Sequence, residues 1–147
     1  MKRDEENLWK IERALEELKE KNISIPIIVE GEKDVKALHD LDIKGEIITI
    51  HGKLPNLCDE IALKYREVII LTDWDEEGWK LCRRMEENLK GRIKCITDYH
   101  SLLSQFINSK SVEGMPKFIK NLRKKILDKN AVHKKQARNM EDDNIGD

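Results

Sequence analysis

A chain of 147 residues supports one domain with a sizeable core and leaves little room for a second. Charged residues are 39% of it, well above the usual quarter or so, yet they nearly cancel to a net charge of −1, so placement of charge matters more than balance. The three cysteines, Cys58, Cys82 and Cys95, form no CxxC pair, which argues against a zinc site or disulfide framework and for a reducing cytoplasm.

No apolar leader follows the charged N-terminus, and no apolar run approaches membrane-spanning length, so a soluble cytoplasmic protein is expected. Lysine and glutamate dominate the charged excess, a bias seen in thermophile proteins. Within a first segment, 1–22, residues 4–21 read as an amphipathic helix. Leu8, Ile11, Leu15 and Leu18 recur at helical spacing, and Glu5, Glu12, Glu16, Lys19 and Glu20 face the other way. That stripe either covers a sheet or pairs with a second copy.

Apolar strands and helices then alternate. Strands are expected over 24–30, 46–50, 67–72 and 92–97, with helices over 33–41, 56–65 and 76–89. This order implies an α/β fold with a parallel sheet built by right-handed crossovers. After Thr97 the alternation stops. A short helix over 101–108 and another from Pro116 make a helical, basic extension over 100–130, and 131–147, which lacks apolar periodicity, is expected to be a disordered tail.

The chemistry gathers where two apolar strands end. Glu30-Gly31 follows the first strand and Asp73-Trp74-Asp75-Glu76-Glu77-Gly78 the third. Carboxylates at the exits of two buried parallel strands can converge on one point, where they repel one another unless a cation sits between them; this suggests a Mg²⁺ site. The bland alternative is ordinary solvated acids at strand ends.

IIVEGEKD followed by IILTDWDEEG resembles the Toprim domain, shared by topoisomerases, bacterial primases, OLD-family nucleases, RecR-type recombination proteins and the small ribonucleases that mature 5S ribosomal RNA. The family pattern is a Glu after the first strand and Asp-x-Asp, usually with a following Gly, after the third; here these are Glu30, Asp73, Asp75 and Gly78. The resemblance implies a Toprim domain over 23–99, with four parallel strands and strands one and three adjacent. The acids would then lie at a topological switch point, where open α/β sheets place their ligands. It further implies that Asp73 and Glu30 share a first Mg²⁺ (or Mn²⁺), that Asp75 helps hold a second, and that Glu30 does general acid or base work. Glu77 stands at the third acidic position of the topoisomerase pattern and is a second-tier metal candidate. Asp34 matches a primase-like EGxxDV, with a local or supporting role.

Around these acids, Gly31 and Gly78 would let the backbone approach a phosphate or adopt positive φ, though Gly78 is equally plain turn chemistry. Lys33 is either a phosphate contact or a solvent-facing lysine. His51 and Lys53, in the loop after strand two, are candidate substrate contacts; His39 reads as a surface or partly packed residue. A Trp at an exposed rim could stack on a base; Trp79 either does so or packs in the core or an interface, while Trp74 must point away from the two acids it separates. Lys117, Lys120, Arg123, Lys124, Lys125, Lys129, Lys134, Lys135 and Arg138 form a stripe suited to a phosphate backbone, or else a solvated helix face. The acidic stretch Glu141–Asp147 would compete with nucleic acid for it. The expected function is Mg²⁺-dependent phosphodiester chemistry on RNA or DNA, as a small nuclease. The alternative is a non-catalytic nucleic-acid-binding adaptor or a subunit of a larger complex. Topoisomerase and primase activities are disfavoured, since the further domains they need are not recognisable.

Overall fold

The computed structural model describes residues 2–145, and the side chains of 3–140. The elements run α1 (Lys2–Lys21), β1 (Ile27–Val29), α2 (Glu32–Asp40), β2 (Ile47–Thr49), α3 (Leu54–Lys64), β3 (Glu67–Ile70), α4 (Glu76–Leu89), β4 (Lys94–Ile96), α5 (Asp98–Phe106) and α6 (Met115–Ile145). The four strands form one sheet in the order β2-β1-β3-β4, parallel throughout. The expected α/β Toprim architecture is therefore present, with β1 beside β3.

Strand side chains alternate between two faces, and each face has its own core. Ile27, Val29, Ile69 and Leu71 pack beneath α1, α2, α5 and α6 with Ile11, Leu18, Leu38, Leu103 and Ile119. Ile28, Val68 and Ile70 pack on the opposite face with Leu57, Cys58 and Ile61 of α3 and Cys82, Met85 and Leu89 of α4. The central strands β1 and β3 are buried on both faces, so their sequences read as continuous apolar runs. Ile11 and Leu18 carry the α1 stripe into the first of these cores. This is the sheet-covering use of the stripe, and it leaves Trp9 exposed.

Asn22 fastens α1 to the sheet. Its amide donates to the carbonyls of Ile25 and Glu46, and its oxygen accepts from the Gly45 N–H at 2.8 Å. Pro116 lies in the first turn of α6, where its missing N–H costs little.

One expectation is corrected. Residues 131–145 continue α6 as helix, where a disordered tail was expected. Ala131–Met140 are all exposed, so no packing holds this stretch. Ala, Lys, Gln, Arg and Met favour helix intrinsically, whereas the apolar periodicity behind the expectation reports burial. Gly146 and Asp147 lie outside the described residues, as do the side chains of the acidic stretch from Glu141.

Candidate metal centre

The acids meet through the hydrogen-bond ladder between β1 and β3. Ile69 N–H donates to the Pro26 carbonyl and Leu71 N–H to that of Ile28. Two residues further, Asp73 N–H donates to the Glu30 carboxylate at 2.7 Å. A side chain thus takes the place of the next carbonyl, fixing Glu30 against the Asp73 backbone at the switch point. Asp75 opens α4 as its N-cap and accepts from the Gly78 N–H at 2.7 Å.

The turn between them folds tightly. A Cβ on Gly78 would sit on the Asp73 carbonyl, so glycine here admits the chain's own backbone. Neither Gly78 nor Gly31 adopts positive φ; among the described glycines only Gly52 and Gly91 do. Thr72 donates its hydroxyl proton to the Gly78 carbonyl at 2.8 Å. Beneath the turn lies His100, fully buried, with Nε2 3.0 Å from the Asp73 carbonyl oxygen and 3.3 Å from Thr72 Oγ1.

The segment joining α5 to α6 closes over this turn. Val112 N–H donates to Asp73 Oδ1 at 2.9 Å. Trp74 N–H donates to the Lys110 carbonyl at 3.0 Å, and its indole N–H to that of Ser109. Trp74 is consequently buried between the two aspartates and faces the core, which removes it as a stacking platform. Trp79 is half-buried, its ring edge-on to His100.

Asp34, buried, accepts from the N–H groups of Gly31, at 3.1 Å, and Glu113, the Gly31 bond tying the third residue of α2 back to its N-cap. Five carboxylates thereby share one region: Glu30, Asp34, Asp73, Asp75 and Glu113. No ion pair neutralises any of them among the described residues. Burial pushes the Glu30 carboxyl above its ordinary 4.5, with the charges of Asp73 and Asp75 adding to the rise and the Asp73 N–H opposing it. Asp34 is raised by burial and then by the charge of Asp73, against its two backbone donors.

Oxygen donors of this kind suit a hard cation such as Mg²⁺, and unneutralised crowding favours one. Even so, among the described residues no three acids, histidines or cysteines converge into a ready-made ligand set. The reason is visible in the bonding: Glu30, Asp73 and Asp75 each turn one oxygen to a main-chain N–H. None of the three accepts from a second main-chain N–H among the described residues, so the donor chemistry fits a cation.

The remaining candidates lie around this edge. Gly31 is the N-cap of α2, with nothing within 4 Å of where a Cβ would stand, so its surface is open to an approaching group. Lys33 is exposed on the first turn of α2 without an ion pair among the described residues. His51 and Lys53 are exposed in the β2–α3 loop and make no bond to the acids. On α6, Arg123 grips Glu12 with Nε and Nη2, at 3.1 and 2.9 Å, while Lys125 and Lys129 pair with Asp4 at 3.2 and 3.4 Å. Lys120 and Lys124 remain exposed and unpaired among the described residues. Part of the basic stripe therefore binds α1.

His100, Val112 and Glu113 were not legible as site residues. Val112 and Glu113 act through main-chain N–H groups, which carry no side-chain signature. His100 was findable only as a histidine on the first turn of a helix whose Tyr99 and Leu103 are buried.

A four-stranded parallel sheet with carboxylates at its central switch point defines an α/β protein with an acidic cluster where β1 and β3 end. A Toprim domain model matches residues 25–106, and the chain belongs to that family. Its relatives include UPF0292 proteins of archaea. That of Thermoplasma volcanium is 40% identical over 99 residues, 65% of this chain and 83% of the relative. That of Pyrococcus furiosus is 38% identical over 113 residues, 75% of this chain and 82% of the relative. A solved protein of Aquifex aeolicus superposes with a TM-score of 0.61 at 26% identity, over 69% of this chain and 94% of the other. Toprim domains typically bind divalent metals such as Mg²⁺, and proteins of the family act on nucleic acids. No helix among the described residues is long and apolar enough to cross a membrane.

Proposed function

We propose that this chain uses Glu30, Asp73 and Asp75 to hold Mg²⁺, with Mn²⁺ as a substitute, and acts on nucleic-acid phosphodiesters as a small nuclease. One observation carries the reading: Glu30 and Asp73, 43 residues apart, are joined at the switch point within an acidic cluster that no cationic side chain neutralises. Mg²⁺ is commonly held by one or two carboxylates with substrate phosphates completing its shell, so three spare carboxylate oxygens suffice. Bound there, the cation would polarise a phosphoryl oxygen and make a bound water more acidic. Glu30, at the position where the family's conserved Glu does general acid or base work, is the group to take or return a proton beside the phosphate. Asp34 holds the α2 start under Gly31. Lys33, His51 and Lys53 stand around the same edge as candidate phosphate contacts, and Lys120 and Lys124, exposed on α6, are further candidates. Arg123 joins them only by releasing Glu12.

A second reading has its own support. Every ligand candidate already serves the main chain and no ligand set is preformed, which suits a non-catalytic nucleic-acid adaptor or a subunit of a larger complex. Cleavage of a mixed panel of labelled RNA and DNA, with and without Mg²⁺ or Mn²⁺, separates the two. Metal-dependent cleavage by the wild type that vanishes in Asp73→Asn is the result expected of the nuclease. Binding without cleavage by either protein would replace it with the adaptor.

A further inference from the structure

His100 is the one buried polar residue whose chemistry the acids do not explain. It is fully buried on the first turn of α5, and its Nδ1 is the only buried side-chain nitrogen or oxygen without a partner among the described residues. Its Nε2 faces the Asp73 carbonyl at 3.0 Å. A carbonyl only accepts, so Nε2 carries a proton and donates it to Asp73. Thr72 Oγ1, having given its own proton to the Gly78 carbonyl, is left to accept from the same Nε2–H at 3.3 Å. Trp79 stands edge-on to the imidazole, ring centroids 4.2 Å apart, and Trp74 flanks it at 6.3 Å. The ring is therefore walled in and has one orientation.

We infer that His100 is a positioning residue for the Asp73–Gly78 turn: its Nε2–H anchors the Asp73 carbonyl from below and so sets the direction in which the Asp73 carboxylate leaves the sheet. The reasoning is mechanical. The Asp73 residue is held at three points, its N–H by Glu30, its carboxylate by Val112 N–H and its carbonyl by His100. Glu30 and Asp73 would change bonding when a cation arrives, whereas the carbonyl anchor is free to persist. The consequence for cation binding rests on the proposal that Asp73 is a metal ligand; the anchoring itself does not.

Two variants of the full chain test it. His100→Phe keeps a ring of similar size and deletes both nitrogens, while His100→Gln brings an amide N–H to the Nε2 position. Amide hydrogen exchange is measured on the metal-free proteins at Asp73, Gly78 and Val112, with Ile69 and Leu71 as controls, followed by titration with Mn²⁺. In His100→Phe the three reporter amides should exchange about tenfold faster with the controls unchanged, and Mn²⁺ affinity should fall by about tenfold, the lower end for loss of a residue supporting a ligand. His100→Gln should restore both. Unchanged reporter amides in His100→Phe would overturn the inference. So would acceleration shared by the controls, or a Gln variant no better than Phe. A wild type that takes no Mn²⁺ would sink the metal reading alone, and the exchange result would still decide the anchoring.

Discussion

At the scale of single residues, the cluster trades stability for a charged site. Glu30 and Asp34 both ionise with more difficulty in the folded chain than in the unfolded one. A raised carboxyl contributes stability that is present below its unfolded value and lost as pH rises through the folded one. Glu30→Gln keeps an acceptor for the Asp73 N–H and removes the charge. It should therefore raise the melting temperature of the metal-free protein at neutral pH, while weakening Mn²⁺ binding. The gap between variant and wild type should close as pH falls to the ordinary carboxyl value of 4.5; melting curves from about pH 4 to 8 check this, and a constant gap would refute it. Gly78→Ala forces a methyl onto the Asp73 carbonyl. It should cost at least about 2 kcal/mol in denaturant unfolding, as overpacking against unyielding backbone does. The cysteines are the inert counterpart. Burial pushes the Cys82 thiol up to about 12 and that of Cys95 to about 11, so at pH 8 the reactive thiolate is roughly a hundredfold scarcer at Cys95, and roughly a thousandfold scarcer at Cys82, than in the unfolded chain, and both should react with a thiol reagent correspondingly slowly.

At the scale of elements, α6 has two working faces. One is spent on α1 through Arg123, Lys125 and Lys129, and the two lysine pairs lower the Asp4 carboxyl, chiefly through its bond to Lys125. The other offers Lys120 and Lys124 to solvent. If that face tracks a phosphate backbone, Lys120→Gln with Lys124→Gln should reduce the salt dependence of nucleic-acid binding by about two log units per log unit of salt, about one for each phosphate no longer neutralised. An unchanged slope would return this face to plain solvation.

At the scale of the molecule, the chain after β4 is part of the site. The segment between α5 and α6 supplies donors to Asp73 and Asp34, and Met115, Ile119 and Ile126 of α6 are buried. Residues 131–140 are wholly exposed. Ending the chain after Asn130 should shift the melting temperature by no more than about 2 °C, the expectation for removing surface without packing. Ending it after Phe106 should unfold or severely destabilise it. A short chain as stable as the full one would show that the extension is not integral.

The sequence by itself determined the order of elements, the parallel sheet and the two carboxylate strings, because burial on both faces of β1 and β3 writes continuous apolar runs and the acids mark where those runs end. Only the tertiary structure decided that Glu30 completes the β3 ladder, that Gly78 makes room for Asp73, that Trp74 turns inward, and that His100 and Val112 hold Asp73 at its carbonyl and its carboxylate. Those relations are contacts with main-chain atoms across long sequence separations. Every residue has the same N–H and C=O to offer, so side-chain identity does not announce which will be used.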